Sequence, residues 1–307
     1  MKKFIYNLFR FSLPFIVFSF AIHMFIIWYP NSFNLKANFI KNNPNVEVLF
    51  LGSSHTQNGI NPDYINKKSV NLAYGGQDYL YDYELFFKLA PKMKKLKYLF
   101  FEVDYQSLEF NQPSNYYRNS WYYYYYDISV FKLDFLEKVS IYFSSPSFFN
   151  DYILRELNPK EYKYNLNQYG FIVNDSPGIF KTKKYNVKLI DEENRHHKVN
   201  FFNENTVHTF QLNKKRLLTI IDYCKKNKIT VFLLSNPVYY TYSRDYIKEK
   251  NKRRLNLLDS LKSENVRNLN YETDSIFTVY DFKDAHHLNS SGAKKLTKMV
   301  NREIENL

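Results

Sequence analysis

The fold turns on one stretch, Val46-Glu47-Val48-Leu49-Phe50-Leu51-Gly52-Ser53-Ser54-His55-Thr56-Gln57-Asn58-Gly59. It begins as a short run of β-branched, aliphatic and aromatic side chains interrupted only by Glu47, which reads as a buried strand. Gly52 breaks the run, and two small hydroxyl residues and a histidine follow at once. A parallel strand in an open α/β sheet ends at the carboxyl edge, where ligands bind. Glycine there permits a sharp turn, and small side chains let a substrate approach the main chain. A serine that opens the next helix has unpaired N–H groups around it. Two readings follow: Ser54 as an activated nucleophile, or a strand-to-helix turn whose serine is only an N-cap.

The far end of the chain favours the first. Asp281-Phe282-Lys283-Asp284-Ala285-His286-His287-Leu288-Asn289-Ser290-Ser291-Gly292-Ala293 places Asp284 three residues before His287, with a helix start at Asn289 or Ser290. A carboxylate so placed can orient the imidazole through one ring nitrogen and leave the other as general base for a serine. With these residues the chain resembles the SGNH/GDSL hydrolase superfamily. Gly52-Ser53-Ser54 resembles its first block, with Ser54 at the nucleophile position and Ser53 where the family often has Asp. Asp284-Ala285-His286-His287-Leu288 resembles its last block, and the order along the chain is also the family's. Asn71 and Gly76 have the spacing of the second block, whose glycine would give a backbone N–H to the oxyanion.

The third block departs from the pattern. After Lys97-Tyr98-Leu99-Phe100-Phe101-Glu102-Val103-Asp104, a central strand, the family has an Asn; here none occurs before Asn111. Asn236, at the end of the strand Phe232-Leu233-Leu234-Ser235, is the remaining oxyanion candidate beside Ser54 and Gly76. Such a departure is similar to a divergent branch found in envelope acylation systems, among alginate O-acetyltransferase-like and lipoteichoic D-alanylation-like proteins.

From Phe11 to Tyr29 the sequence has no Asp, Glu, Lys or Arg, enough for one bilayer span. Trp28 and Tyr29 suit an interfacial position, and Trp28-Tyr29-Pro30 does not look like a signal-peptidase site. Residues 1–30 are therefore expected to be a cytoplasmic tip and an uncleaved signal anchor, with Lys2, Lys3 and Arg10 inside. A linker over 31–45 would lead to one domain over 46–307, facing away from the cytoplasm. The expected location is the cytoplasmic (inner) membrane, single-pass.

The net charge of +13 is scattered over separate lysine runs, which reads as solvated surface or as attraction to an anionic glycan or lipid headgroup. No nucleic-acid motif is present, and nucleic acid is not an expected partner. The single Cys224 excludes an intramolecular disulfide and lies on an apolar helical stripe. His196, His197 and His208 lack an accompanying Cys or carboxylate pattern, so neither a metal nor a cofactor is expected.

Residues from about 105 to 210 break the alternation of strand and helix and are too long for a bare loop. They hold Trp121 and the run Tyr122 to Tyr126. Five consecutive tyrosines cannot all point inward, so Trp121, Tyr122 and Tyr124 are candidates for stacking on sugar faces. Beyond the insertion the pattern resumes with a helix over 213–227, a strand over 229–234, a helix over 246–262 and a strand over 266–270. The expected fold is a three-layer, flavodoxin-like parallel α/β sheet with a large aromatic-rich insertion, preceded by one transmembrane helix. The expected function is serine-dependent acyl-ester hydrolysis or acyl transfer, acetyl by the resemblance, on an envelope or extracellular polysaccharide. A transferase outside the cytoplasm would need a membrane-bound O-acyltransferase as partner. The competing reading is a non-catalytic glycan-binding or assembly subunit of such a system.

Overall fold

Five strands carry the core: β1 (Val48–Leu51), β2 (Ser69–Asn71), β3 (Tyr98–Glu102), β4 (Thr230–Ser235) and β5 (Val266–Asn270). All pair in parallel, in the order β2-β1-β3-β4-β5. This is the doubly wound order of flavodoxin-like sheets, with the reversal between β1 and β3. The computed structural model describes residues 1–158, 165–174, 178–194 and 206–307. In chain order the helices are α1 (Lys2–Trp28), α2 (Ser32–Asn42), α3 (Ser54–Gly59), α4 (Tyr79–Leu89), α5 (Asn119–Tyr126), α6 (Phe135–Val139), α7 (Pro146–Leu157), α8 (Ile179–Thr182), α9 (Val187–Asn194), α10 (Val207–Lys226), α11 (Tyr240–Ser243), α12 (Lys248–Leu261) and α13 (Ser290–Glu305).

Side chains alternate across a strand, so the sheet feeds two cores. Leu49, Leu51, Leu99 and Phe101 join Leu85 of α4 and Leu217 of α10 on one face. Val48, Phe50, Phe100 and Phe232 meet Leu296 and Val300 of α13 on the other. Register puts Phe50 beside Phe100 and Phe100 beside Phe232. Their rings lie 4.7 and 4.3 Å apart between centroids. Each such pair contributes about 0.5–1.5 kcal/mol beyond its buried area. α10 is helical because Leu217, Ile220, Ile221 and Cys224 recur on one stripe, and all four are buried. α13 starts where Asn289 caps it, its side chain accepting from the Gly292 N–H at 3.0 Å.

The 31–45 stretch is not a linker. Asn31 caps α2 by accepting from the Asn34 N–H at 2.9 Å. Phe33 then stacks on Tyr74 at 3.7 Å between centroids. Lys36, 2% exposed, donates from Nζ to the Ala73 carbonyl at 2.7 Å. A buried ring and a bonded lysine tie this segment to the loop after β2, which a linker would not do.

α1 is the one helix among the described residues long and apolar enough to cross a membrane. Its carboxyl end is docked: Ile26 is fully buried, and the Ile141 N–H donates to His23 Nδ1 at 3.3 Å. The Tyr125 hydroxyl donates to the Ile27 carbonyl at 2.8 Å. Between β3 and α10 the chain builds α5 to α9. His196 and His197 lie outside the described residues.

Candidate active site

Parallel strands deliver their following loops to one edge, and there the chain collects Gly52 to Ser54 after β1, Leu72 to Gly76 after β2, Val103 and Asp104 after β3, and Asn236 after β4. Ser54 is the first residue of α3, one place after the N-cap Ser53. The backbone at Gly52 has φ +146, and a Cβ there would lie 2.5 Å from the Glu102 Cβ. Only glycine fits that close passage of β1 beside β3.

The loop before α13 brings the other members. His287 Nε2 lies 2.8 Å from Ser54 Oγ, and His287 Nδ1 lies 2.9 Å from Asp284 Oδ2. The other carboxylate oxygen of Asp284 accepts from the N–H groups of His286 and His287 at 3.0 and 2.8 Å. Burial would raise the Asp284 carboxyl, but the hydrogen bond and charge of His287 outweigh it and hold it below the usual carboxylate range. Burial keeps His287 below the ordinary imidazole value, with Asp284 opposing the shift. A neutral imidazole with its Nδ1–H fixed by a carboxylate has a free Nε2 lone pair facing the serine hydroxyl.

Beside Ser54 lies a cavity of about 230 Å³, lined among others by Ser53, Gly76, Tyr79, Ser107 and Phe110. Gly76 has φ +73, and its carbonyl accepts from the Gln112 side chain. Among the described residues the N–H groups of Ser54 and Gly76 make no hydrogen bond within the protein. Asn71 serves packing: its Nδ2 donates to the Thr56 and Ile60 carbonyls at 2.9 and 2.8 Å, tying β2 to α3.

Two expected assignments, Asn236 and Tyr122, are corrected by what these side chains touch, while Tyr124 stays half-buried and lines a cavity with Lys88, Lys92 and Asp127. Asn236 is not an oxyanion donor: its Nδ2 donates to Thr56 Oγ1 and Asp104 Oδ2 at 3.0 and 3.2 Å, and its N–H to Asp104 Oδ1 at 2.7 Å. Tyr122 is 0% exposed, with its hydroxyl donating to Gln77 Oε1 at 2.6 Å, so no sugar can reach its face. Tyr124 sits edge-on to His23 of α1 at 5.1 Å and donates to the Glu137 and Lys138 carbonyls. Trp121 is largely buried against Phe33 and Phe149, yet it lines a second cavity of about 790 Å³ with Gln57, Arg118, Tyr152 and Arg155. Consecutive residues of a helix point in different directions, so one aromatic run serves both core and cavity.

The sequence reading missed a second layer. Ser53 donates its hydroxyl to Glu102 Oε1 at 2.5 Å and its N–H to Glu102 Oε2 at 2.9 Å. His55 Nδ1 lies 2.5 Å from Asp104 Oδ2, and His55 Nε2 lies 3.3 Å from His286 Nδ1. Burial works against a charge on His55, but the bond to Asp104 and the carboxylates of Glu102 and Asp284 outweigh it and push the imidazole up to about 9. The one signal in the sequence was Glu102-Val103-Asp104, two acids spaced by two at the end of an apolar strand.

No curated protein matches the chain. Among solved structures, the lipase Lip_vut3 from a goat rumen metagenome is similar at 11% identity and a TM-score of 0.39, over 84% of this chain and 96% of that one. A family model matches residues 137–307, a range that includes Asp284 and His287 and leaves Ser54 outside. That match spans more than half of the 307 residues, and the chain belongs to that family.

Proposed function

We propose that the protein is an SGNH-type serine esterase or O-acyltransferase that works through an acyl-enzyme. The reading rests on one observation, the continuous chain Asp284–His287–Ser54 with contacts of 2.9 and 2.8 Å. Ser54 Oγ attacks an ester carbonyl while its proton passes to His287 Nε2. Asp284 fixes the imidazole and stabilises the imidazolium. The oxyanion takes the N–H groups of Ser54 and Gly76. Collapse expels the alcohol, which leaves with the proton from His287 and an acyl-Ser54 ester behind. Water or a sugar hydroxyl then gives its proton to His287, attacks the ester and regenerates Ser54.

The 230 Å³ cavity beside Ser54 has room for the acyl group of the ester, acetyl by the resemblance. α1 supports a place at a membrane, and Lys2, Lys3 and Arg10 favour its amino terminus inside. On that orientation the substrate is an envelope or extracellular polysaccharide, and a transferase receives its acyl group from a membrane-bound O-acyltransferase partner. The test is full-length detergent-solubilised protein with a chromogenic acetyl ester. The expected result is turnover, with a transient gain of one acetyl group on Ser54 by mass spectrometry. Absence of both, with the fold intact, would remove the enzyme reading in favour of the non-catalytic subunit. A cytoplasm-only reporter fused after Leu307 should be silent, and its activity would reverse the orientation.

A further inference from the structure

Three imidazoles cluster around the histidine that meets Ser54, although catalysis by the triad uses only one. One ring nitrogen each from His55, His286 and His287 lies within 4.8 Å of the others. His55 presents Nε2 and His286 presents Nδ1, 3.3 Å apart. Two zinc–nitrogen bonds of about 2.0–2.1 Å at a tetrahedral angle place their nitrogens about 3.3–3.4 Å apart. Two of the three rings are also backed by carboxylates. His55 Nδ1 lies 2.5 Å from Asp104, and His287 Nδ1 lies 2.9 Å from Asp284. A ligating histidine almost always donates its far N–H in this way, which fixes the ring and raises its basicity. Asp104 is itself held by the Asn236 backbone N–H at 2.7 Å, so the support is rigid. The His286 side chain is 39% exposed and gives an ion a way in. None of this is visible in the spacing along the chain, because His55 and His286 stand 231 residues apart.

We propose that His55 Nε2, His286 Nδ1 and His287 Nε2 bind one zinc-class divalent ion, and that the bound ion inhibits the enzyme by occupying the lone pair Ser54 needs. Nitrogen donors select Zn²⁺ or Co²⁺ over Mg²⁺ or Ca²⁺, which want oxygen. The proton shared between His55 and His286 leaves to solvent as the ion enters. Both far N–H bonds to carboxylate stay in place. Ser54 Oγ lies 2.8 Å from His287 Nε2, so water or this hydroxyl would complete the coordination. The binding claim stands without the acyl-transfer reading; only the inhibition rests on it.

The test uses full-length, chelator-treated protein titrated with Co²⁺ alone and followed by its visible absorption, then with Zn²⁺ in competition. One ion per chain, with the intense bands of a four- or five-coordinate nitrogen site, is expected. His286→Ala changes a partly exposed ring, should leave the thermal melt unchanged, and should weaken binding at least tenfold. Ser54→Ala, which cannot form an acyl-enzyme, should still bind. No saturable binding by the wild type, or equal affinity in His286→Ala, would overturn the site. So would loss of binding in Ser54→Ala, which would make the hydroxyl rather than the three nitrogens the essential donor. With a chromogenic ester, turnover should fall with the same midpoint as Zn²⁺ binding, and full turnover with the ion bound would overturn the inhibitory role. A protein that binds Co²⁺ but hydrolyses no ester without metal would sink the acyl-transfer reading and leave the metal site standing.

Discussion

Ser53 and Glu102 are joined twice, hydroxyl to Oε1 at 2.5 Å and N–H to Oε2 at 2.9 Å, so the residue next to the proposed nucleophile is fully engaged with β3. Burial and the nearby Asp104 carboxylate push Glu102 above the usual carboxyl range, which makes these donors matter. Ser54→Ala should therefore lower ester turnover by roughly three orders of magnitude or more, with little change in the melt. Ser53→Ala should do the reverse, leaving most of the turnover and costing about 1–3 kcal/mol of stability through the unsatisfied carboxyl. Steady-state kinetics beside urea unfolding separates them, and equal kinetic damage from both would refute the division of roles.

Asp284→Asn preserves the size of the residue but offers an amide where Asp284 Oδ2 meets His287 Nδ1 at 2.9 Å. The imidazole then adopts the other tautomer and points a proton at Ser54. Turnover is expected to drop about 10⁴-fold, chiefly in kcat. A variant within tenfold of wild type would mean that His287 is not oriented by this carboxylate.

Lys36 gives stability an alkaline component. Burial first, and then the Arg118 charge, push it down from 10.5 to about 7. Between those values the unfolded chain holds a proton that the folded chain lacks, so stability rises with pH there. Below about pH 7 both states are protonated and the whole penalty of burying the ammonium is present. The limiting slope is about 1.4 kcal/mol per pH unit. Lys36→Met should remove this rise, leaving a wild-type-minus-variant difference that grows from pH 7 to 10 in denaturant titrations; a flat difference would contradict it.

Arg254 and Glu272 form a buried, two-pronged pair at 2.9 and 2.6 Å, with the Tyr246 hydroxyl on Glu272 Oε1 at 2.8 Å. Glu272→Ala strands the guanidinium and is expected to destabilise by about 3–5 kcal/mol. Arg254→Met combined with Glu272→Leu should cost clearly less, because neither charge is then left alone. Urea midpoints on the single and double variants give the comparison.

The residues that announced the sheet did so for local reasons. Val48 to Leu51, Tyr98 to Glu102 and Thr230 to Ser235 are short apolar runs ended by small or polar residues, and each is a strand. Ser54 and His287 are 233 positions apart, yet both were readable, because each sits in a short pattern with its own turn chemistry. What escaped were pairings across strands. Asp104 and His55 carry no mutual spacing along the chain, and hydropathy ranks both as surface residues although both are buried. Asn236 had the right place at a strand end, but Asp104 takes its N–H groups, a contact that depends on β3 and β4 being neighbours. α2 lies in the 31–45 stretch expected as a linker; Phe33 and Lys36 commit it to the domain only once Tyr74 and Ala73 are in reach.

The joint between α1 and α2 is three residues long, Tyr29 to Asn31, and it is clasped. Asn31 Nδ2 donates to the Tyr125 hydroxyl at 3.0 Å, and that hydroxyl donates to the Ile27 carbonyl at 2.8 Å. A helix held this way is a bracket and not a leash. With α1 in a bilayer, Ser54 would ride at a set altitude above the lipid instead of sweeping a hemisphere. Reach would then decide which esters meet the serine.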